Sequence, residues 1–153
     1  MRNLNQKGIT ISEILLAIAI IGILAVLVLP GFAKIKKVQV LKSATENIVS
    51  IVGKARSQTL SSLDSSEYGV HFGSDEIVLF KGTSYSESDP NNKNTEIIFP
   101  ASISSISLTG EAVDLYFNRL SGLPSVSGTI TVSVPGLSSK TITISAMGFA
   151  SIN

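Results

Sequence analysis

No cysteine and no tryptophan occur in this chain, and histidine occurs once, at His71. The missing thiols exclude a disulfide framework, thiol chemistry and cysteine-based metal sites. A single histidine excludes a histidine-rich metal centre and leaves little general-base chemistry near neutral pH. His71 alternates with Val70 and Phe72, which turns it to the opposite side of its strand, towards solvent or a sheet edge. No nucleophile-elbow pattern, glycine-rich phosphate loop or ATPase motif is present. The sequence therefore points to no enzyme, no cofactor and no metal. Asp89, Asn91, Asn92 and Glu87 share one polar stretch, but their spacing matches no EF-hand pattern and reads as a solvated loop.

Charge is scarce as well, at 15% of residues, and it is unevenly placed. Residues 1–63 hold eight basic and two acidic side chains, whereas residues 64–153 hold four basic and nine acidic ones. A basic stem is thus joined to an acidic head. The head has no basic stripe with interleaved aromatics, so nucleic acid is an unlikely partner by this criterion. Lys34, Lys36 and Lys37 belong to the stem and could contact anionic headgroups, acidic neighbours or solvent alone.

What the chain does have is a long apolar run. Between Lys7 and Lys34 the only charge is Glu13, and from Ile14 to Leu29 nothing polar intervenes before Pro30. The run matches the length of about 20 mostly apolar residues that a bilayer span requires. A carboxylate at the membrane centre costs roughly 2.5–3.5 kcal/mol on insertion scales, so Glu13 calls for a compensating role.

Lys7-Gly8-Ile9-Thr10-Ile11-Ser12-Glu13 followed by an apolar helix resembles the class III signal of type IV pilins and type II secretion pseudopilins. The resemblance covers about the first thirty residues. It implies cleavage by a prepilin peptidase between Gly8 and Ile9, N-methylation of Ile9, and an assembly role for Glu13. It also implies a helix break at Pro30 and Gly31, since many pilins carry a proline at this place. The family usually has phenylalanine where this chain has Ile9. The physics agrees: a buried carboxylate and a buried ammonium are each costly alone and tolerable when paired. Glu13 of one subunit paired with the Ile9 amine of its neighbour would set the axial register of a helix stack.

Two other readings of the N-terminus exist. In one, the span is a plain signal anchor with Glu13 in the headgroup region. In the other, Gly31-Phe32-Ala33 is a secretory cleavage site that frees a chain starting at Lys34, although the apolar core exceeds the usual 7–15 residues. Flanking charge also bears on topology. Arg2 and Lys7 precede the span and three lysines follow it, which on the positive-inside rule favours a cytoplasmic C-terminal part. The leader motif argues the other way, because it must face a cytoplasmic peptidase, and long domains translocate largely regardless of flanking charge.

After Pro30-Gly31 the helical period resumes. Ile35, Val38, Leu41, Ala44, Ile48, Val52, Ala55, Thr59 and Leu63 form one stripe at spacings of three and four. This predicts one helix from about Thr10 to about Ser62, bent or locally unwound at the proline, which loses a backbone bond there. From Asp64 the period changes to two. Tyr68–Phe72 and Glu76–Phe80 flank Gly73-Ser74-Asp75, a hairpin signal. Gly82–Asn94 reads as an exposed loop. Further strands are expected over Thr95–Phe99, Ile103–Leu108, Ala112–Phe117, Gly128–Val134 and Lys140–Ser145, seven in all, with one face on the helix stripe.

Leu115–Pro124, Gly128–Val132 and Lys140–Gly148 resemble the C-terminal half of H-type pseudopilins and FimT-like minor pilins. Some FimT-like proteins bind DNA through basic C-terminal residues; the segment Phe149–Asn153 has none.

The expected fold class is therefore α+β, a long N-terminal helix packed on an antiparallel β head, pilin-like. The expected layout is a leader at 1–8, a transmembrane and assembly helix at 9–32, an amphipathic helical half at 33–63 and a β-rich head at 64–153. The resemblance implies a minor pilin or pseudopilin anchored by one pass in the inner membrane, its head extracytoplasmic, and later part of a pilus or pseudopilus. Its implied partners are other subunits, the prepilin peptidase, an inner-membrane assembly platform and membrane lipid. The alternatives are a membrane-anchored binding module that does not polymerise, and a DNA-uptake minor pilin.

Overall fold

The computed structural model describes residues 8–153. Arg2, Lys7 and the rest of the expected leader before Gly8 lie outside the described residues. The chain forms two compact units, the first ending at Lys36 and the second spanning Lys37–Asn153. Helix α1 runs over Ile11–Leu60, within two residues of the expected limits, and its helical assignment is continuous through Pro30 and Gly31.

In the second unit the helix presents Leu41, Ala44, Ile48, Val52, Ala55 and Thr59 to the core, all buried. These are the central six positions of the expected stripe. The ends of that stripe are corrected: Ile35, Val38 and Leu63 are exposed. A periodic pattern marks a face that can be covered, and only where sheet lies against it does burial follow.

Eight strands follow, one more than expected. They are β1 (Tyr68–Phe72), β2 (Glu76–Lys81), β3 (Lys93–Glu96), β4 (Ser102–Leu108), β5 (Asp114–Phe117), β6 (Gly128–Ser133), β7 (Lys140–Ile144) and β8 (Ala150–Ile152). They form two antiparallel four-stranded sheets, ordered β3-β2-β1-β5 and β4-β6-β7-β8. The β1–β2 hairpin closes through the Gly73 N–H donating to the Glu76 carbonyl at 2.9 Å. The extra strand, β8, comes from the short C-terminal segment and pairs Ile144 with Ala150 and Ile142 with Ile152.

β3 lies earlier than expected. It ends at Glu96, and Ile98 and Phe99 stand exposed in the turn that leads through a cis Phe99-Pro100 bond. Ile97 alone of the apolar run Ile97–Phe99 is buried. Three consecutive apolar residues cannot all face one side of a period-two strand, so the run is split between core and surface.

One core joins helix and both sheets. Ile48 and Val52 belong to one buried cluster with Val70, Phe72, Leu115 and Phe117 of the first sheet and Ile130, Val132, Ile142 and Ile144 of the second. Backbone proximity dictates Gly69 in this core: a Cβ there would come within 2.3 Å of the Phe80 ring and 2.7 Å of the Leu115 carbonyl oxygen.

The polar loop between β2 and β3 is not simply solvated. Tyr85 stacks on His71 with ring centroids 4.0 Å apart and contacts Phe80 at 5.8 Å. His71 does face away from Val70 and Phe72, as expected, but a loop covers it. Its Nδ1 pairs with Asp114 Oδ1 at 2.5 Å. With Tyr85 overhead, Val78 and Phe80 on that outer face are buried, a placement that strand alternation alone would leave wet.

Candidate functional site

The N-terminal helix end is built by local chemistry. The Thr10 carbonyl accepts the N–H groups of Glu13 at 3.1 Å and Ile14 at 3.2 Å, and the Thr10 hydroxyl accepts the Glu13 N–H at 3.3 Å. Thr10 is thus the N-cap and Glu13 the third helical residue, the Thr-x-x-Glu order of a capping box. The positive end of the helix dipole favours a carboxylate in this turn. The cap explains why the helix begins where it does.

Gly8 and Ile9 precede this cap in exposed, non-helical backbone. The expected cleavage bond therefore lies outside the helix, and a Cβ at Gly8 would meet nothing within 4 Å. Glu13 is exposed too, one turn in. Gly8, Ile9 and Glu13 are thus gathered within six residues of chain at one helix end, whereas Pro30 and Gly31 lie well inside the helical run.

Beyond Glu13 the helix is apolar on every side. All the large apolar side chains described from Ile9 to Val26 are exposed, including Ile14, Leu15, Ile18, Ile21 and Leu24. The helix is long and apolar enough to cross a membrane, and none of its most apolar stretch is buried. A helix that is hydrophobic all round belongs in lipid or among other helices.

The stem lysines part company in the structure. Lys37 donates from Nζ to the Pro135 carbonyl at 3.0 Å, so it ties the helix to the β6–β7 turn rather than standing free. At the other end of the helical half, Arg56 Nε donates to the Gly122 carbonyl at 3.1 Å, and its guanidinium lies 4.4 Å from the centre of the Phe149 ring. Sequence reasoning missed this contact. Gly148 allows it: with φ at 80°, a Cβ there would meet the Gly122 oxygen at 2.7 Å and Arg56 Nε at 3.0 Å.

The acidic loop uses its own oxygens. Asp89 Oδ1 accepts both the Asn91 N–H and the Asn91 side-chain amide at 2.8 Å, and these bonds hold its carboxyl below the usual range. Among the described residues no three of His, Asp and Glu converge as ligands for a metal ion. Tyr85 stacks on the imidazole of the His71–Asp114 pair, and among the described residues no hydroxyl is hydrogen-bonded to His71.

Residues 3–29 match the family described as the prokaryotic N-terminal methylation motif. The match spans Gly8, Ile9 and Glu13 and stops just before Pro30. Neither the curated proteins nor the solved structures yield a match to the chain. The motif and the apolar helix together point to a membrane-anchored, pilin-like precursor.

Proposed function

We propose that this chain is a minor pilin or pseudopilin, a structural subunit of a type II secretion pseudopilus or type IV pilus, H-type by resemblance. The observation that carries the reading is Glu13. A lone carboxylate stands in the first turn of a helix that is apolar on all sides, within the residues that match the methylation motif. In this reading the leader, residues 1–8, is cut between Gly8 and Ile9, and Ile9 is methylated. Residues 9–32 hold the subunit in the inner membrane until assembly. The amphipathic half, 33–63, and the head, 64–153, stand outside it.

Assembly moves the apolar helix from lipid into a bundle of like helices. Glu13 then meets the Ile9 amine of a neighbour, and pairing removes the cost of burying either charge alone. Pro30 lacks the N–H that would bond one turn back, so the Pro30-Gly31 step is the place where the helix gives first. The head has no ATPase motif, and the energy for assembly comes from a partner at the membrane platform.

Intact mass and N-terminal sequence of the protein from native membranes test the reading. A mature chain starting at Ile9, methylated or not, supports it. An intact Met1 makes the helix a plain anchor, and a start at Lys34 makes the head a secreted domain; either sinks the fibre mechanism.

A further inference from the structure

Two apolar patches remain exposed on the head, and they carry opposite charge. The first is the turn after β3. Ile98 is 64% and Phe99 88% exposed, and the surface groove beside them is lined by Asp75, Glu76 and Glu96. These three acids form no ion pair among the described residues; Asp75 accepts from the Ser74 hydroxyl and Glu76 from the Asn94 amide. The second patch surrounds the Arg56–Phe149 contact. Leu120 is 84% exposed, Met147 69% and Phe149 59%, and Arg119 sits beside Leu120.

The second patch is held rigid. Arg56 is bonded to Gly122 and stacked on Phe149, and the Gly122 N–H donates to the Asn118 carbonyl at 2.9 Å. Leu120 is fixed at φ 68°, a conformation disfavoured for a leucine, with its side chain pointing into solvent. That conformation closes the Asn118–Leu123 turn, where the Asn118 N–H donates to the Leu123 carbonyl at 2.9 Å, and leaves the leucine side chain at the tip.

Helix geometry sets how the patches are arranged. The first patch's flank of the helix includes Val40 and Asn47; the second's includes Val49, Arg56 and Leu60. At about 100° per residue, these two sets lie on opposite flanks, each roughly a quarter-turn from the buried stripe. They are also offset along the helix by about 11 residues, roughly 16 Å at 1.5 Å per residue. Surfaces so placed cannot meet within one copy.

We infer that the acidic Ile98–Phe99 patch of one copy docks on the basic Leu120–Met147–Phe149 patch of the next. The occupant is a second copy of this chain because each patch finds its complement, in charge and in apolar surface, on the same molecule. The contact is heterologous, and its axial offset makes each added copy step along the helix direction, so the array stays open instead of closing into a ring. The apolar centres supply contact area, and the acidic and basic rims choose the orientation. This deepens the assembly reading and rests on it: the helices supply the stack, and the heads set which flank faces which.

The absence of cysteine in the native chain gives a clean test. Full-length F99C and L120C chains are co-expressed in membranes and treated with a flexible bis-maleimide. A cross-linked dimer is expected from the mixture, and only background from either variant alone. Placing E76R/E96R on the F99C chain should lower the yield about tenfold, and adding R119E to the L120C chain should restore most of it, since like charges repel and re-paired charges attract. Dimers from F99C alone would mean a two-fold contact and overturn the proposal, as would no product, or a yield indifferent to the charge swap. Repeating the experiment with E13A separates the two ideas. Loss of assembly in E13A with no cross-link in the native background retains the helix mechanism and removes the head contact. A cross-link that survives while E13A assembles normally retains the head contact and removes the Glu13 mechanism.

Discussion

The Thr59 hydroxyl accepts the backbone N–H of Tyr68 at 2.9 Å and donates to the Ala55 carbonyl at 3.0 Å. Thr59 is fully buried, in the last turn of α1, and Tyr68 is the first residue of β1. One side chain thus satisfies the first strand donor and joins the helix end to the sheet over a nine-residue connection.

Thr59→Val keeps the shape and removes the acceptor. The Tyr68 N–H would then be buried without a partner, at a cost of about 1–3 kcal/mol. Thermal or urea unfolding of the full chain should show this loss, while Thr59→Ser, which keeps the hydroxyl, should retain most of the stability. Equal losses for both variants would assign the effect to packing.

Gly69→Ala is expected to destabilise the head by about 1–3 kcal/mol, the usual cost of overpacking. The added Cβ would press on the Phe80 ring and the Leu115 carbonyl, and the carbonyl belongs to a neighbouring strand that cannot turn aside. Pairing the change with Phe80→Leu should recover part of the loss; no recovery would locate the conflict in the backbone contact.

Tyr85→Ala should uncover His71 and Phe80 and loosen the β2–β3 loop. Limited proteolysis between residues 82 and 92 should quicken several-fold while the core strands keep their protection. An unchanged cleavage rate would mean that the loop is held by the Asn92 and Asp89 bonds alone.

Asp64 provides a pH signature. Its carboxylate accepts from Lys81 Nζ at 3.2 Å and from the Tyr68 hydroxyl at 3.1 Å. The Lys81 bond, then the Tyr68 bond, hold its pKa below the ordinary 3.8. A depressed carboxyl contributes stability that is present above the unfolded pKa and is lost as pH falls through the folded one. Acid titration of stability should therefore be shallower in Asp64→Asn than in the native chain below pH 3.8. Parallel curves would show that the pair adds nothing to the native state.

Glu13→Ala should leave membrane insertion intact and abolish incorporation into a fibre. If Glu13 pairs with a neighbour's amine as proposed, removing one member of that buried pair costs about 3–5 kcal/mol, so the assembled fraction should fall by roughly two to four orders of magnitude. Fractionation of sheared surface fibres against membranes gives the readout, and normal incorporation would assign Glu13 to the headgroup region.

Much of this molecule was legible in its residues, for local reasons. The apolar run and the Leu41–Thr59 stripe depend on spacing along one helix, which the chain itself sets at 3.6 residues per turn. The hairpins at Gly73-Ser74-Asp75 and at Pro135-Gly136 depend on turn chemistry within a few residues. What the tertiary structure decided involves partners far apart in the chain. Ile35 and Val38 carry the same periodic signal as Ile48, and only the reach of the sheets makes one set exposed and the other buried. β8 became a strand because β7 offered it an edge. Tyr85 found His71, and Arg56 found Phe149 across 93 positions, because two sheets and a helix brought them together. Periodicity states what an element can bury; packing alone determines what it meets.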